Sequence, residues 1–336
     1  MRIGHVNLDE QVLVVAEIGN NHEGNFDVAK DLVRKAAECG VNAAKFQTFR
    51  TEHYVSAADE ARFKRLKSFE LSFEQFANLA SLTHSLGMLF ISTPFDLESA
   101  TFLGPLVDAC KIASGDNNFF PLIQRVCETG KPIIVSSGAT SLEQIAKTKR
   151  YVEDQWRARG ITQELAILHC VSSYPVPPEQ ANLAAIPFLI DSVGGTIGYS
   201  DHTIGIDACI VAVALGARII EKHFTLDRHF SDFRDQELSA DPGDMKQLVE
   251  RIRSTERMLG RPQKTVQPCE EPSMGQLRRS IVAASDLPAG HRLRMADLTW
   301  IRPAVGLPPG EEHRLVGKVL TRPLRFGEPL GISDVE

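Results

Sequence analysis

The feature that most constrains this chain is a sustained alternation of short apolar runs with amphipathic segments, from residue 11 to about residue 260. Eight runs read as strands: 12–18, 43–48, 88–93, 109–113, 132–136, 165–171, 196–199 and 218–224. Short, largely apolar runs of this kind suit parallel strands buried on both faces. Between them lie amphipathic segments such as 25–38, 73–86, 141–155 and 206–215. A last one, 242–259, has Pro242 just inside its start and Gly260 just past its end, which is how helices are punctuated. Eight strand–helix units in roughly 250 residues predict an α/β fold, a (β/α)8 TIM barrel. A doubly wound open sheet is the competing arrangement, and the absence of a Gly-x-Gly-x-x-Gly turn counts against it.

Composition changes after Gly260. Residues 261–275, rich in Pro, Gln and Glu, read as a linker. Beyond it, strand candidates at 279–284, 300–302, 316–323 and 326–332 are broken by Gly and Pro. They predict a small β-rich domain over 276–336, with the barrel occupying 1–260. About 60 residues bury little core, so the small domain is expected to pack on another surface.

The formal net charge is -6, so no basic field favours nucleic acid or an anionic membrane. No apolar stretch approaches the roughly 20 residues of a membrane span. The first ten residues are polar and lack the apolar centre of a signal peptide. Six scattered cysteines (39, 110, 127, 170, 209 and 269) form no Cys-x-x-Cys pair and read as reduced thiols. A cytoplasmic location is expected.

In a barrel of this kind the chemistry sits at the carboxyl ends of the strands. Those ends are unusually polar here. The first carries Glu17 in Ala16-Glu-Ile-Gly-Asn-Asn-His-Glu-Gly24, and the second Lys45 and Gln47 in Ala44-Lys-Phe-Gln-Thr48. The next three carry Ser92 and Thr93, then Lys111, Ser114 and Asp116, then Ser136 and Ser137. The sixth ends in His169-Cys-Val-Ser-Ser-Tyr-Pro175, and the last two bring Ser200, Asp201, His202, Lys222 and His223. A buried lysine is commonly a structural ion pair, and a serine at a strand end commonly caps the next helix. Their concentration on one face points further. Lys45 and Lys111 among Thr93, Ser114, Ser136 and Ser200 offer the point cations and donors that a small phosphate needs.

His202 and His223, on neighbouring strands, read either as core histidines or as two nitrogen ligands for a divalent ion such as Mn²⁺. Substrate and water would complete its shell. No third ligand is obvious, although Glu17 could serve as one or act as an acid/base. His22 and His169 are expected to be structural, and His229 to be solvated.

These motifs together resemble the sialic acid synthase family, along essentially the whole chain. The matching segments are Ala16 to Gly24, Lys45-Phe-Gln-Thr48, Phe90-Ile-Ser-Thr-Pro-Phe95, Lys111 to Asn118, Ser200-Asp-His-Thr203 and Glu221-Lys-His-Phe-Thr225. The C-terminal region resembles the antifreeze-like (SAF) domain of the same enzymes, with Ile301-Arg-Pro303 matching its sugar-contacting segment. The resemblance implies metal-dependent condensation of phosphoenolpyruvate with an N-acylated aldose and water. The products are a nonulosonic acid and phosphate, formed by C–O cleavage. It implies that Lys45, Thr93, Lys111, Ser114, Ser136, Ser172 and Ser200 hold phosphoenolpyruvate. Gln47, Tyr174, Asp235 and Arg302 would face the sugar, His202 and His223 would hold Mn²⁺ (or Mg²⁺ or Co²⁺), and Glu17 and Asp116 would handle protons. It also implies a domain-swapped homodimer, in which Arg302 reaches the neighbouring subunit's site.

The chain departs from the family at four places. Ser114-Gly-Asp116 replaces the common Ser-Gly-Glu, which withdraws the carboxylate by about one C–C bond, on the order of 1.5 Å. Ser172 stands where sialic acid synthases proper often have Asn, and resembles the related synthases for pseudaminic or legionaminic acid. Phe230-Ser-Asp-Phe-Arg-Asp235 replaces Pro-Gly-Pro-Asp, and Arg302-Pro303 lacks the glycine that usually follows. The acceptor is therefore open between N-acetylmannosamine and a 2,4-diacetamido-trideoxy-hexose. Two rival readings are a Schiff-base pyruvate lyase using Lys111 or Lys45, and a non-catalytic sugar-binding homologue.

Overall fold

The computed structural model describes residues 1–336. Eight parallel strands close a barrel: β1 (Leu13–Gly19), β2 (Ala43–Thr48), β3 (Leu89–Pro94), β4 (Ala109–Ile112), β5 (Ile133–Ser136), β6 (Leu165–Cys170), β7 (Thr196–Asp201) and β8 (Ile219–His223). Each strand pairs with the next, and β8 returns to β1 with His223 beside Glu17. The expected (β/α)8 architecture is the one observed.

Side chains alternate along a strand, so each strand sends one set inward and the other outward. Outward residues such as Val12, Val14, Ala16 and Ile18 join Leu32, Phe76, Ile145 and Leu248 in the core under the helices. Inward residues change character along the barrel axis. Leu13, Val15, Leu89, Ile91, Ala109, Ile134, Leu168 and Ile219 form a dry cluster at the amino end. A hairpin of Arg2–Ile3 and Val6–Asn7 plugs that end with Ile3, Val6 and Leu8. One position inside the wall tolerates no side chain. A Cβ at Gly198 would lie 2.6 Å from the Ile219 carbonyl oxygen, below any real contact.

The helices begin where side chains can receive the free N–H groups of a first turn. Asn25 caps Phe26–Glu38, Ser72 makes a capping box with Gln75 before Phe73–Ser85, and Asp241 caps Pro242–Leu259. The helix expected over 141–155 continues to Arg159, because the first left-handed residue after it is Gly160, with φ of 64°. The β2–β3 connection carries two helices beforehand, Thr51–Tyr54 and Glu60–Phe69, before the expected Phe73–Ser85.

The chain divides into two compact units, Met1–Gly260 and Arg261–Glu336. The second contains a short helix, Glu271–Leu277, which begins in the stretch expected to be a linker and runs two residues past it. It has one antiparallel pair, β9 (Ser280–Ala283) with β10 (Leu298–Ile301), so the strand expected at 300–302 begins at Leu298. The strands expected over 316–323 and 326–332 are not formed. They reduce to single bridges such as Arg292 to Val319, Leu320 to Val335 and Val282 to Pro329. Pro323 and Pro329 have no N–H to donate, and Gly317 and Gly327 turn the chain at φ of 86° and 80°. A separate core of Ile281, Leu293, Leu315, Leu320 and Leu330 holds this unit together.

Candidate active site

The inward positions at the carboxyl end of the barrel open into a cavity of about 620 Å³. Of the residues singled out from the sequence, Glu17, Lys45, Gln47, Thr93, Lys111, Ser114, Ser136, Ser172, Tyr174, Ser200, His202, His223 and Asp235 all line it. Asp116 does not join them. It ends the single turn Ser114–Asp116, half-buried, and its short side chain lies within Coulomb range of the Tyr54 hydroxyl. Arg302 belongs to the second unit and is exposed just beyond β10.

Two lysines and two carboxylates share the floor. Lys45 Nζ lies 2.7 Å from Glu17 Oε2, 3.7 Å from Glu221 Oε1 and 3.3 Å from Thr93 Oγ1. Lys111 Nζ lies 3.6 Å from Glu221 Oε1 and donates to Ser136 Oγ at 2.6 Å. Ser200 Oγ donates to Glu221 at 2.9 Å, and Gln47 donates to Glu17 at 3.1 Å. Relative exposures of 3% for Lys45 and 2% for Lys111 remove both from bulk water. Charges buried so deeply persist only because each has partners.

The surroundings push the two carboxylates apart. Burial raises the Glu17 pKa above its ordinary value, although Lys45 opposes the shift. Burial acts on Glu221 too, but the lysine pair outweighs it and holds that carboxyl below its ordinary value. Glu221 is therefore the fixed anion and Glu17 the group that takes a proton more readily. Burial also lowers the Lys111 pKa, with Glu221 opposing, whereas the carboxylates around Lys45 overcome its burial and raise it. Asp116 is pushed up to about 6 by burial.

His202 and His223 face one another with ring centroids 5.4 Å apart. His202 Nδ1 bonds the Val171 carbonyl at 2.8 Å, which fixes the tautomer and leaves Nε2 free. His223 Nδ1 is buried with no hydrogen-bond partner. Burial, with the positive field of His202 and Lys45, holds the His223 pKa well below its ordinary value, so the ring is neutral. Burial opposes a charge on His202, but Cys170 and the Val171 carbonyl outweigh it and raise its pKa above the ordinary value, so a divalent ion would have to displace that proton to use both imidazoles. No third imidazole, thiol or carboxylate completes a cluster with them, so its remaining positions would fall to substrate and water.

Neither His22 nor His169 lines the cavity, although His22 Nε2 is buried without a hydrogen-bond partner. His22 Nδ1 accepts from the Gly24 N–H, and His169 Nε2 meets the Ala181 carbonyl at 2.9 Å. His229 is exposed. Gly138 brings backbone close to the serines: a Cβ there would lie 2.7 Å from Ser114 Oγ and would collide with Ser172 Oγ. Its N–H donates to Ser114 Oγ at 3.0 Å.

Several lining residues escaped the sequence reading. Glu221 is the most central. Its position two before His223 on a strand is the signal, since both then point inward. Asn20 extends the Gln47–Glu17 chain at 2.9 Å. Tyr174 and His202 have ring centres 4.1 Å apart at a tilt of 32°, and the Arg234 guanidinium lies 4.6 Å from the Tyr174 ring centre. Tyr54, Arg62, Arg65, Phe69 and Phe233 complete the rim.

Residues 32–264 match the NeuB family and residues 278–336 match the SAF domain. An uncharacterised protein of Methanocaldococcus jannaschii is 40% identical, over 96% of this chain and 92% of its own length. The N,N'-diacetyllegionaminic acid synthase of Legionella pneumophila is 37% identical, over 96% of this chain and 94% of its own. Among solved structures, the N-acetylneuraminic acid (sialic acid) synthetase of Leptospira borgpetersenii superposes with a TM-score of 0.76 at 32% identity. The match covers 81% of this chain and 94% of that one.

Proposed function

The chain belongs to the NeuB family, and from that premise we propose that it is a phosphoenolpyruvate-dependent transferase making a nonulosonic acid. Its second substrate is an N-acylated aldose, either N-acetylmannosamine or a 2,4-diacetamido-trideoxy-hexose. The observation that carries this reading is the pair of fully buried lysines, ringed by hydroxyls, on the floor of the cavity beside the imidazoles of His202 and His223.

Phosphoenolpyruvate is a compact polyanion. Lys45 and Lys111, with Thr93, Ser114, Ser136, Ser172 and Ser200, supply the cations and donors to hold its phosphate and carboxylate. A polyanion beside Glu17 raises that carboxyl further, and protonation there frees Lys45 for the ligand. Gln47, Tyr174 and Asp235 lie above, where the sugar would sit. His202 and His223 fit a divalent metal, Mn²⁺ first with Mg²⁺ or Co²⁺ as alternatives, which when bound supplies Lewis-acid polarisation of the aldehyde oxygen. C3 of phosphoenolpyruvate attacks the aldehyde carbon, and water adds at C2. The C2 adduct then loses phosphate as its C–O bond breaks. Protonated Glu17 gives its proton to the aldehyde oxygen as C3 attacks and takes one back from the water that adds, and the proton of the resulting C2 hydroxyl leaves with the phosphate oxygen as the C–O bond breaks. A homodimer, a cytoplasmic location and a sugar contact from Arg302 belong to the same reading. Its support includes five buried, unpaired thiols, and no helix is long and apolar enough to cross a membrane.

The experiment is consumption of phosphoenolpyruvate with Mn²⁺ and each candidate acceptor in turn. Consumption with one acceptor identifies the product; none with any of them in metal-replete protein refutes the reading. His223→Ala tests the metal separately. Loss of bound Mn²⁺ together with turnover is expected, and near-normal metal content and turnover would remove the two-histidine site.

A further inference from the structure

The outer face of the barrel wall carries a buried ion pair that the proposed chemistry leaves unused. Asp201 and Lys222 point away from the cavity, while their chain neighbours His202 and His223 line it. We propose that the Asp201–Lys222 pair is a positioning device that fixes the spacing and aim of the two histidines for a divalent ion. This deepens the synthase reading and rests on its metal site.

Alternation along β7 and β8 sends Ser200, His202, Glu221 and His223 inward, and Tyr199, Asp201, Ile220 and Lys222 outward. Ile197, Tyr199 and Ile220 belong to the core under the helices, so a charge is out of place at the next outward position of each strand. The side chains of Lys222 and Asp201 are 1% and 0% exposed, and Nζ lies 2.8 Å from Oδ2. Desolvating two charges offsets most of what their pairing gains, and apolar residues of similar volume commonly pack at least as stably. Stability alone does not account for the pair.

Its place on the strands does. The ladder between β7 and β8 runs through Ile220–Tyr199 and Glu221–Ser200 to Lys222–Asp201 and stops there. Both histidines lie one residue beyond that last rung. Asp201 Oδ1 accepts from the Tyr199 hydroxyl at 3.0 Å and from the Thr203 N–H at 2.8 Å. Lys222 Nζ donates to the Thr203 carbonyl at 2.5 Å as well as to Asp201. Cys209, on the helix Asp207–Ala214, donates to Asp201 Oδ2 at 3.2 Å. His202 is therefore held on both sides, at Asp201 and at Thr203, by bonds that lead to Lys222.

His223 depends on that link more heavily. His202 has its own bond to the Val171 carbonyl, whereas His223 Nδ1 is buried without a partner, so backbone and packing aim its ring. The residue before it is Lys222, and Asp201 ties Lys222 to the strand that carries His202. Two ligands of one ion must be held to within about 0.5 Å, and this pair is the side-chain link between the strand ends that bear them.

The test reads two affinities. Mn²⁺ binding without substrates is followed by the free-ion signal in electron paramagnetic resonance, and phosphoenolpyruvate binding to metal-free protein by calorimetry. Asp201→Asn/Lys222→Met removes both charges together, so that neither is left buried alone, and keeps an oxygen for the Tyr199 and Thr203 donors. Its Mn²⁺ dissociation constant should rise by about tenfold or more, with phosphoenolpyruvate binding unchanged. Tyr199→Phe removes a single bond to Asp201 and should shift Mn²⁺ binding the same way by a smaller factor; it decides the matter should the double variant fail to fold. Leu13→Ala, in the dry cluster at the opposite end of the barrel, should bind Mn²⁺ as the wild type does. Unchanged Mn²⁺ affinity in the folded Asp201, Lys222 and Tyr199 variants overturns the inference and leaves the synthase reading standing. So does an equal loss of both affinities, which marks a general loosening of the carboxyl end. A wild type that binds no Mn²⁺ overturns the two-histidine site, and the inference with it.

Discussion

The two ends of the barrel interior are built from the same strands and the same inward-facing alternation, yet they do opposite things. On β1 the inward residues are Leu13, Val15 and then Glu17; on β8 they are Ile219 and then Glu221 and His223. On β2, Ala43 gives way to Lys45 and Gln47. The amino end is dry and packed against the hairpin plug. The carboxyl end buries charges whose desolvation offsets most of what their pairing gains. Within one strand, stability is drawn from the first residues and function is placed on the last ones. Because the side-chain period is two, a register slip of one residue would destroy both at once.

That division can be broken from either side. The largest effect expected is on the reaction. Glu17→Gln keeps the shape and the bond from Gln47 but removes the proton carrier, so kcat should fall by roughly 10²–10⁴. Lys45 retains Glu221 at 3.7 Å, so the melting temperature should move little; steady-state kinetics and calorimetry on one preparation read both. Leu13→Ala is the mirror experiment. Leu13 is fully buried in the dry cluster, and its truncation should cost about 2–5 kcal/mol in denaturant unfolding, with kcat of the folded enzyme unchanged. A fall in kcat matching the loss of stability would show that the two ends are not separable.

The smallest effect sharpens the boundary. Asp116 is half-buried beside the site without lining it, and its pKa of about 6 stands above the ordinary 3.8. The folded protein therefore binds this proton more tightly than the unfolded chain. Stability contributed by the protonated group is present below the ordinary value and is lost as pH rises through about 6. Asp116→Asn should leave stability unchanged near pH 4 and raise it at pH 8 by about 1–2 kcal/mol, allowing for partial exposure. Melting temperatures of both proteins at the two pH values provide the check.

The barrel was legible because its strands are short apolar runs separated by helices with clear caps and stops. The helix Glu60–Phe69 was not, because it buries only Phe69 and presents no apolar stripe to read. The second unit was misread in detail. Apolar content at 316–323 and 326–332 suggested strands, but proline and left-handed glycine leave only isolated bridges there. In the site, strand-end polarity located the lysines, serines and histidines. Glu221 became visible only through strand register, and Asp116 ends the turn after Ser114 and Gly115, which line the cavity, without lining it itself. The arginines of the rim required tertiary structure, since they come from a helix and a loop joined through Phe69 and Phe233.

The most direct measurement of the central claim follows the bridging oxygen of phosphoenolpyruvate, labelled with ¹⁸O, through one turnover with Mn²⁺ and the preferred acceptor. If the charged floor holds the phosphate until it leaves a C2 adduct, the label departs with inorganic phosphate. Unlabelled phosphate would mean P–O cleavage and an enolate released on the floor, which would contradict the mechanism assigned to Lys45, Lys111 and Glu17.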